Sequence, residues 1–198
     1  YLIFIVLIAV ATHFSFKLNS GASMSKEQEQ QMKSMSKVMV VVMTFTSCKI
    51  NNTKDIKFLE QVFSDDALII TGKVIKRTTG DGIRLPDKIE YKKQSKREYL
   101  SRLAVVFQNN KQIRVTFDEI EVMRHPGHKD FYGVTLHQGY SSDRYHDDGY
   151  LFLLWDFRNE DYPQIHVRTW QPDSYNPDGK GNRRIPKDEI FSLSDFDI

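Results

Sequence analysis

The stretch DGYLFLLWDFRNEDYPQIHVRTWQPD, Asp148 to Asp173, decides the fold. It reads as two strands dense in Leu, Ile, Val and aromatic residues, joined by a polar loop of hairpin length. Strand side chains alternate between faces. One face of the first strand therefore holds Leu151, Leu153, Trp155 and Phe157, and the other holds Phe152, Leu154 and Asp156. In the second strand Ile165, Val167 and Thr169 alternate with His166, Arg168 and Trp170. If paired residue numbers sum to an odd value, each face mixes aliphatic with charged groups. If the sum is even, as with Phe157 opposite Ile165, the faces separate. Burying His and Arg among aliphatic side chains without partners is costly, which favours the segregated register.

The same alternation in FYGVTLHQGY sets Phe131, Thr135 and His137 opposite Tyr132, Val134 and Leu136. The expected feature is a polar-aromatic patch on one sheet face: His137, Asp156, His166, Arg168 and Trp170. Three readings fit such a patch: an ion-paired surface, the lining of a ligand cavity, or an acid–base site. In the last, Asp156 and His166 are the catalytic candidates, because burial and a neighbouring charge bring either group towards neutrality. Arg168 suits a carboxylate or a developing oxyanion.

Upstream, Ile56, Leu59 and Phe63 lie on one face of a short helix, with Thr53 available as its N-cap. Ser64-Asp65-Asp66 is expected to break it before a strand over Ala67–Lys76, with Gly72 as a bulge. Arg77 to Tyr91 reads as a loop or loose hairpin. SKREYLSRLAVVFQNN is the clearest helix: Ser95 and Glu98 form a capping box, and Leu100, Leu103, Ala104 and Phe107 form a core-facing stripe. Strands over Ile113–Met123, Phe131–Tyr140, Tyr150–Phe157 and Gln164–Gln171 follow, with short polar connections that make antiparallel neighbours. Helices first and strands later indicate an α+β class, a curved antiparallel sheet of about four to six strands with the helices packed on one face. The tail, 174–198, is rich in Pro, Gly and charge, and IFSLSDF within it suits a last docked strand.

The first quarter of the chain has a different composition. Five of the six Met precede Cys48, and MKSMSKVMVVVMTFTSC reads as a secretion signal: Lys33 and Lys37, an apolar run from Val38 to Phe45, then small residues. The run is far shorter than the roughly 20 residues of a membrane-crossing helix. Thr46-Ser47-Cys48 resembles a bacterial lipoprotein signal, which implies lipid attachment at Cys48 and a location on the bacterial cell envelope, in the outer membrane or on the periplasmic face. The bland alternative is a buried strand with Cys48 as a core thiol. The organisation expected is a leader over 1–47, lipid attachment and tether over 48–57, the domain over 58–173 and the tail. Residues 1–23 are set aside as upstream sequence or the remnant of a longer leader.

Of 28 basic and 26 acidic residues, four and two respectively lie before residue 49, so the remainder carries 24 of each. A neutral body argues against a nucleic-acid partner, which needs a basic stripe. The turn His125-Pro126-Gly127-His128 is weak as a metal site. Asp143, Asp147 and Asp148 lack calcium-loop spacing and read as turn formers. GKGNRR lacks the context of a phosphate loop, and no G-x-S-x-G motif occurs. No motif implies a cofactor or a metal.

The order of these segments, with FSDDALIITGKV after a helix and FLLWDF and IHVRTWQP closing the sheet, resembles the nuclear transport factor 2-like superfamily, the fold of ketosteroid isomerase and SnoaL-like polyketide cyclases. More narrowly, YGVTLHQGY and GYLFLLWDF…PQIHVRTWQP look like domains of unknown function in lipoproteins of Bacteroidota. The resemblance implies a curved sheet around a cavity, frequently a dimer through the sheet, and no particular activity. Ketosteroid isomerase-like enzymes use a carboxylate base, a place Asp156 would take, but no motif carries those roles across. The function expected is non-catalytic binding of a small molecule, peptide or partner protein. The alternatives are an isomerase, dehydratase or hydrolase built on Asp156 and His166, and a structural homodimer that buries Trp155 against its twin.

Overall fold

Strand β5 (His146–Asp156) and strand β6 (Gln164–Pro172) form the expected hairpin at the centre of a six-stranded sheet. The computed structural model describes residues 54–196 together with Ser25, Lys26, Ser36 and Val38. The chain forms two units, Tyr1–Lys37 and Val38–Ile198, and the α+β domain belongs to the second. Cys48 and the rest of the signal-like run after Val38 lie outside the described residues, as does Thr53.

The first helix, α1 (Ile56–Val62), is capped by Asp55, whose Oδ1 accepts from the Phe58 N–H at 3.0 Å. Its end passes directly into β1 (Phe63–Thr78). Ser64-Asp65-Asp66 is therefore strand and not a break. Lys96 holds it extended by donating to the Phe63 carbonyl at 2.8 Å and to Asp65 at 2.7 Å. β1 turns at Gly82, which has φ +85, into β2 (Arg84–Gln94), making a regular hairpin of the expected loop. Its irregularity falls between Ile75 and Arg77 and not at Gly72. Gly72 instead allows close approach, because a Cβ there would lie 2.9 Å from the Tyr91 ring. Helix α2 (Lys96–Asn109) starts at the expected capping box, with Ser95 and Glu98 each accepting from the other's backbone. β3 (Ile113–Arg124) and β4 (Phe131–Ser142) complete the sheet, in the order β2-β1-β6-β5-β4-β3.

Four of the five ladders are antiparallel, and the fifth, β1 with β6, is parallel. A parallel pair needs a long crossover. Everything from β2 to β5 supplies it, so the first and last long strands meet in the middle of the sheet.

The register departs from the segregated one. From Gly149↔Pro172 to Leu154↔Val167 the paired numbers have an odd sum, so Leu151 faces Trp170 and Leu153 faces Arg168. A shift between Leu154 and Trp155 then sets Trp155 opposite Ile165, and His166 becomes an extra residue at a bulge. Phe157 lies beyond the strand. The assumption of one wet face fails because both faces are covered. Helices α1 and α2 lie over one, with Phe63, Leu151 and Leu153 beneath them. The C-terminal tail covers the other, where Leu193 is buried with Phe131, Phe152, Leu154 and Val167, and Phe191 and Phe196 pack against them.

The tail docks through 3-10 turns (Lys187–Glu189 and Leu193–Asp195) and not as a strand. Gln171, 1% exposed, clamps it: its Nε2 donates to the Glu189 carbonyl at 3.0 Å and its Oε1 accepts from the Phe191 N–H at 2.7 Å. A two-residue pair, β7 (Ser174–Tyr175) with β8 (Arg183–Arg184), leads into it. Trp155 is 1% exposed within the single chain, so it offers no apolar surface to a twin.

Candidate functional site

Between α1, α2 and the helix-side face of the sheet lies a cavity of about 160 Å³. Alternation in the strands delivers its floor: Val115 and Phe117 from β3, Gln138 and Tyr140 from β4, Leu151 and Leu153 from β5, and Arg168 from β6. The helical period of α2 delivers its roof, with Tyr99, Leu103 and Phe107 spaced i, i+4, i+8. Leu59 of α1 and Phe63 close one side, and Lys54 and Asp55 also line it. Leu103 and Phe107 of the α2 stripe thus border a space left open among the described residues.

Arg168 is the one member of the expected patch that lines this cavity. Its guanidinium carbon sits 4.8 Å from the centre of the Tyr99 ring, a cation–π contact that orients the side chain. No carboxylate among the described residues pairs with it. The other cation of the lining, Lys54, is engaged, donating through Nζ to the Asn110 carbonyl. Trp170 shares the Arg168 face but packs over Gly149, where an added Cβ would meet its ring at 2.7 Å.

The remaining members of the patch are elsewhere. His137 is on the tail side, opposite Tyr150 in register, with Nδ1 2.8 Å from Asp118 Oδ1 and its ring edge-on to Tyr150. Asp156 is buried at the end of β5. Its carboxylate accepts from the Arg158 backbone N–H at 2.8 Å, from Arg158 Nε at 2.9 and 3.1 Å and from Nη2 at 2.7 Å. The bulge turns His166 towards it, Nε2 to Oδ2 3.2 Å, while His166 Nδ1 lies 3.8 Å from Asp66. Burial alone pushes the Asp156 carboxyl up, but the Arg158 hydrogen bonds and charge outweigh it and hold the group below the usual carboxylate range. Asp156 and His166 therefore lie within contact of each other, but in a hydrogen-bonded knot with Arg158 outside the cavity lining. A carboxylate so engaged is a poor proton acceptor.

The set-aside motifs have structural roles. His125 Nδ1 accepts from the N–H groups of Gly127 and His128, both at 3.0 Å, which makes His125–His128 a self-capped turn. Asp143 accepts from the N–H groups of Lys111 and Gln112 at 2.6 and 3.1 Å and ties the α2–β3 loop to the β4–β5 turn. Asp147 and Asp148 fall inside β5 and not in a turn. What the sequence reading missed is the lining itself, Tyr99, Val115, Phe117, Gln138 and Tyr140. Its signal was the odd-numbered alternation in β3, which continues the Leu151–Leu153 face across the sheet.

Solved structures share this architecture. Bd1075 of Bdellovibrio bacteriovorus is 16% identical with a TM-score of 0.51, over 75% of this chain and 43% of that one, so the chain spans less than half of that protein's length. Naphthalene 1,2-dioxygenase with indole bound in its active site is 7% identical with a TM-score of 0.51, over 80% of this chain and 85% of that one. NTF2-like proteins are among the similar structures, such as an NTF-2 like protein of unknown function from Silicibacter pomeroyi DSS-3 (13% identity, TM-score 0.43, over 75% of this chain and 99% of that one). At these identities the likeness is one of fold. No protein-family model matches the chain, and no curated protein matches it.

Proposed function

We propose that the domain binds a small molecule in the cavity between α1, α2 and the sheet, without performing chemistry on it. The observation that carries this reading is the unfilled space of about 160 Å³ beneath the helices, lined mainly by apolar side chains with a few polar groups among them. Binding sites have this composition, with polar groups that set orientation and an apolar wall that supplies affinity. Well-packed cores keep few voids larger than a water molecule. The acid–base pair expected from the sequence lies outside this lining, which favours binding over catalysis.

Ring-sized fragments should show saturation-transfer NMR signals with the full chain, and Leu103→Trp should abolish them by filling the cavity from the roof. Leu103 is half-buried on α2, so the larger ring can be accommodated in a folded protein. Absence of any fragment signal with the unaltered chain would overturn the reading.

A lipid on Cys48 is part of the same proposal, since it would hold the domain at the bacterial envelope, where ligand capture next to a membrane is a natural use. Cys48→Ala should move the protein from the membrane fraction of cells to the soluble fraction. Unchanged sedimentation with membranes would remove the tether from the proposal.

A further inference from the structure

We infer that the cavity selects a ring-sized aromatic monocarboxylate, with Arg168 as the anchor for its anionic end; this rests on the binding reading above. Three observations converge. The first is size. About 160 Å³ is close to the roughly 150 Å³ cavity that takes up a benzene molecule in an engineered protein interior. One ring with a short substituent matches this volume.

The second is the wall. Phe63, Tyr99, Phe107, Phe117 and Tyr140 come from β1, α2, β3 and β4 and surround the space with aromatic rings. Aromatic partners meet edge-to-face or offset with more attraction than area alone provides. Such a wall favours an aromatic guest over an aliphatic one of equal volume.

The third is the unpaired cation. In register Arg168 has Ile69 on one side and Leu153 on the other, so its sheet neighbours give it no acceptor. A guanidinium carries five N–H donors in a planar fork that matches two carboxylate oxygens. The guanidinium carbon lies 4.8 Å from the centre of the Tyr99 ring, and among the described residues no acceptor takes its N–H groups. The other charged groups of the lining are committed: Lys54 to the Asn110 carbonyl, and Asp55 to the first turn of α1. Among the described residues a phosphate dianion would find a single open cation here. A carboxylate monoanion matches it in charge and in geometry.

Isothermal titration of the full chain with benzoate and with benzamide tests this, because the two differ in charge and hardly in shape. Benzoate should bind at least ten-fold more tightly than benzamide. Cyclohexanecarboxylate should be weaker than benzoate, and phenyl phosphate no tighter than benzoate. Arg168→Met should bring the benzoate-to-benzamide ratio close to one, and Arg168→Lys should leave an intermediate ratio. If Arg168→Met does not fold, the ratio in the unaltered chain and its change in Arg168→Lys decide the matter. Equal affinity for benzoate and benzamide, or a ratio that Arg168 variants leave unchanged, would overturn the anion anchor. The cavity reading would still stand if Leu103→Trp abolished both. Tighter binding of phenyl phosphate would overturn the carboxylate assignment, and failure of every probe with the unaltered chain would overturn the cavity reading itself.

Discussion

Phe152→Ala is expected to destabilise the domain by about 3–5 kcal/mol, the range for removing a large aromatic side chain from a packed core. Phe152 is 1% exposed on the tail side of the sheet. Its ring stacks on Phe196 with centroids 5.3 Å apart and planes within 5° of parallel. Gly133 on the neighbouring strand is kept bare for it, since a Cβ there would meet the Phe152 ring at 2.9 Å and Leu193 at 3.2 Å. Truncation therefore removes the ring, the stack and the floor on which the tail rests. Urea unfolding at neutral pH measures the loss, and limited proteolysis should show early cleavage around Ile190–Phe196. A loss under about 1 kcal/mol, with the tail still protected, would mean that this face is not the buried layer described above.

Asp156→Asn is expected to cost about 1–2 kcal/mol at pH 7, because hydrogen bonds to a charged group contribute more than neutral ones and the largely exposed Arg158 screens part of that gain. The variant keeps the shape of the side chain and removes its charge. The carboxyl is held below its usual range in the folded chain, so its contribution is fully present above the unfolded value of about 3.9 and is lost as the pH falls through the lower folded value. Unfolding curves of the two proteins should therefore be well separated at pH 7 and converge as the pH falls below about 4. A gap that stays constant across this window, or that widens on acidification, would show that the ion pair does not stabilise the fold. The binding of cavity ligands should not change in this variant, which separates its role from that of Arg168.

Much of the fold was legible in the chain. The Ser95–Glu98 capping box marked the start of α2, and alternation located β3 to β6 within a few residues, because both signals are local and periodic. The first helix and its strand were read less well. Ser64-Asp65-Asp66 has turn-forming side chains, and Lys96, reaching over from α2, together with pairing of β1 to β6, favours an extended course there. IFSLSDF in the tail was read as a last docked strand, yet no free sheet edge lies where its aromatic residues dock.

Of the five residues of the expected patch, Arg168 alone lines the cavity. Asp156 and His166 were rightly placed together, but the register that joins them is a bulge, and nothing periodic in the sequence announces an inserted residue. By itself the sequence determined the class, the succession of helices and strands, and which residues of each strand share a side, because these follow from backbone periodicity and capping chemistry. Tertiary structure alone decided that β1 and β6 run parallel, that the central β5–β6 hairpin is covered on both faces, and that Arg168 faces an unfilled space. Those outcomes depend on which distant elements cover each face and how much volume their side chains leave between them, a sum over the whole domain that no local pattern contains.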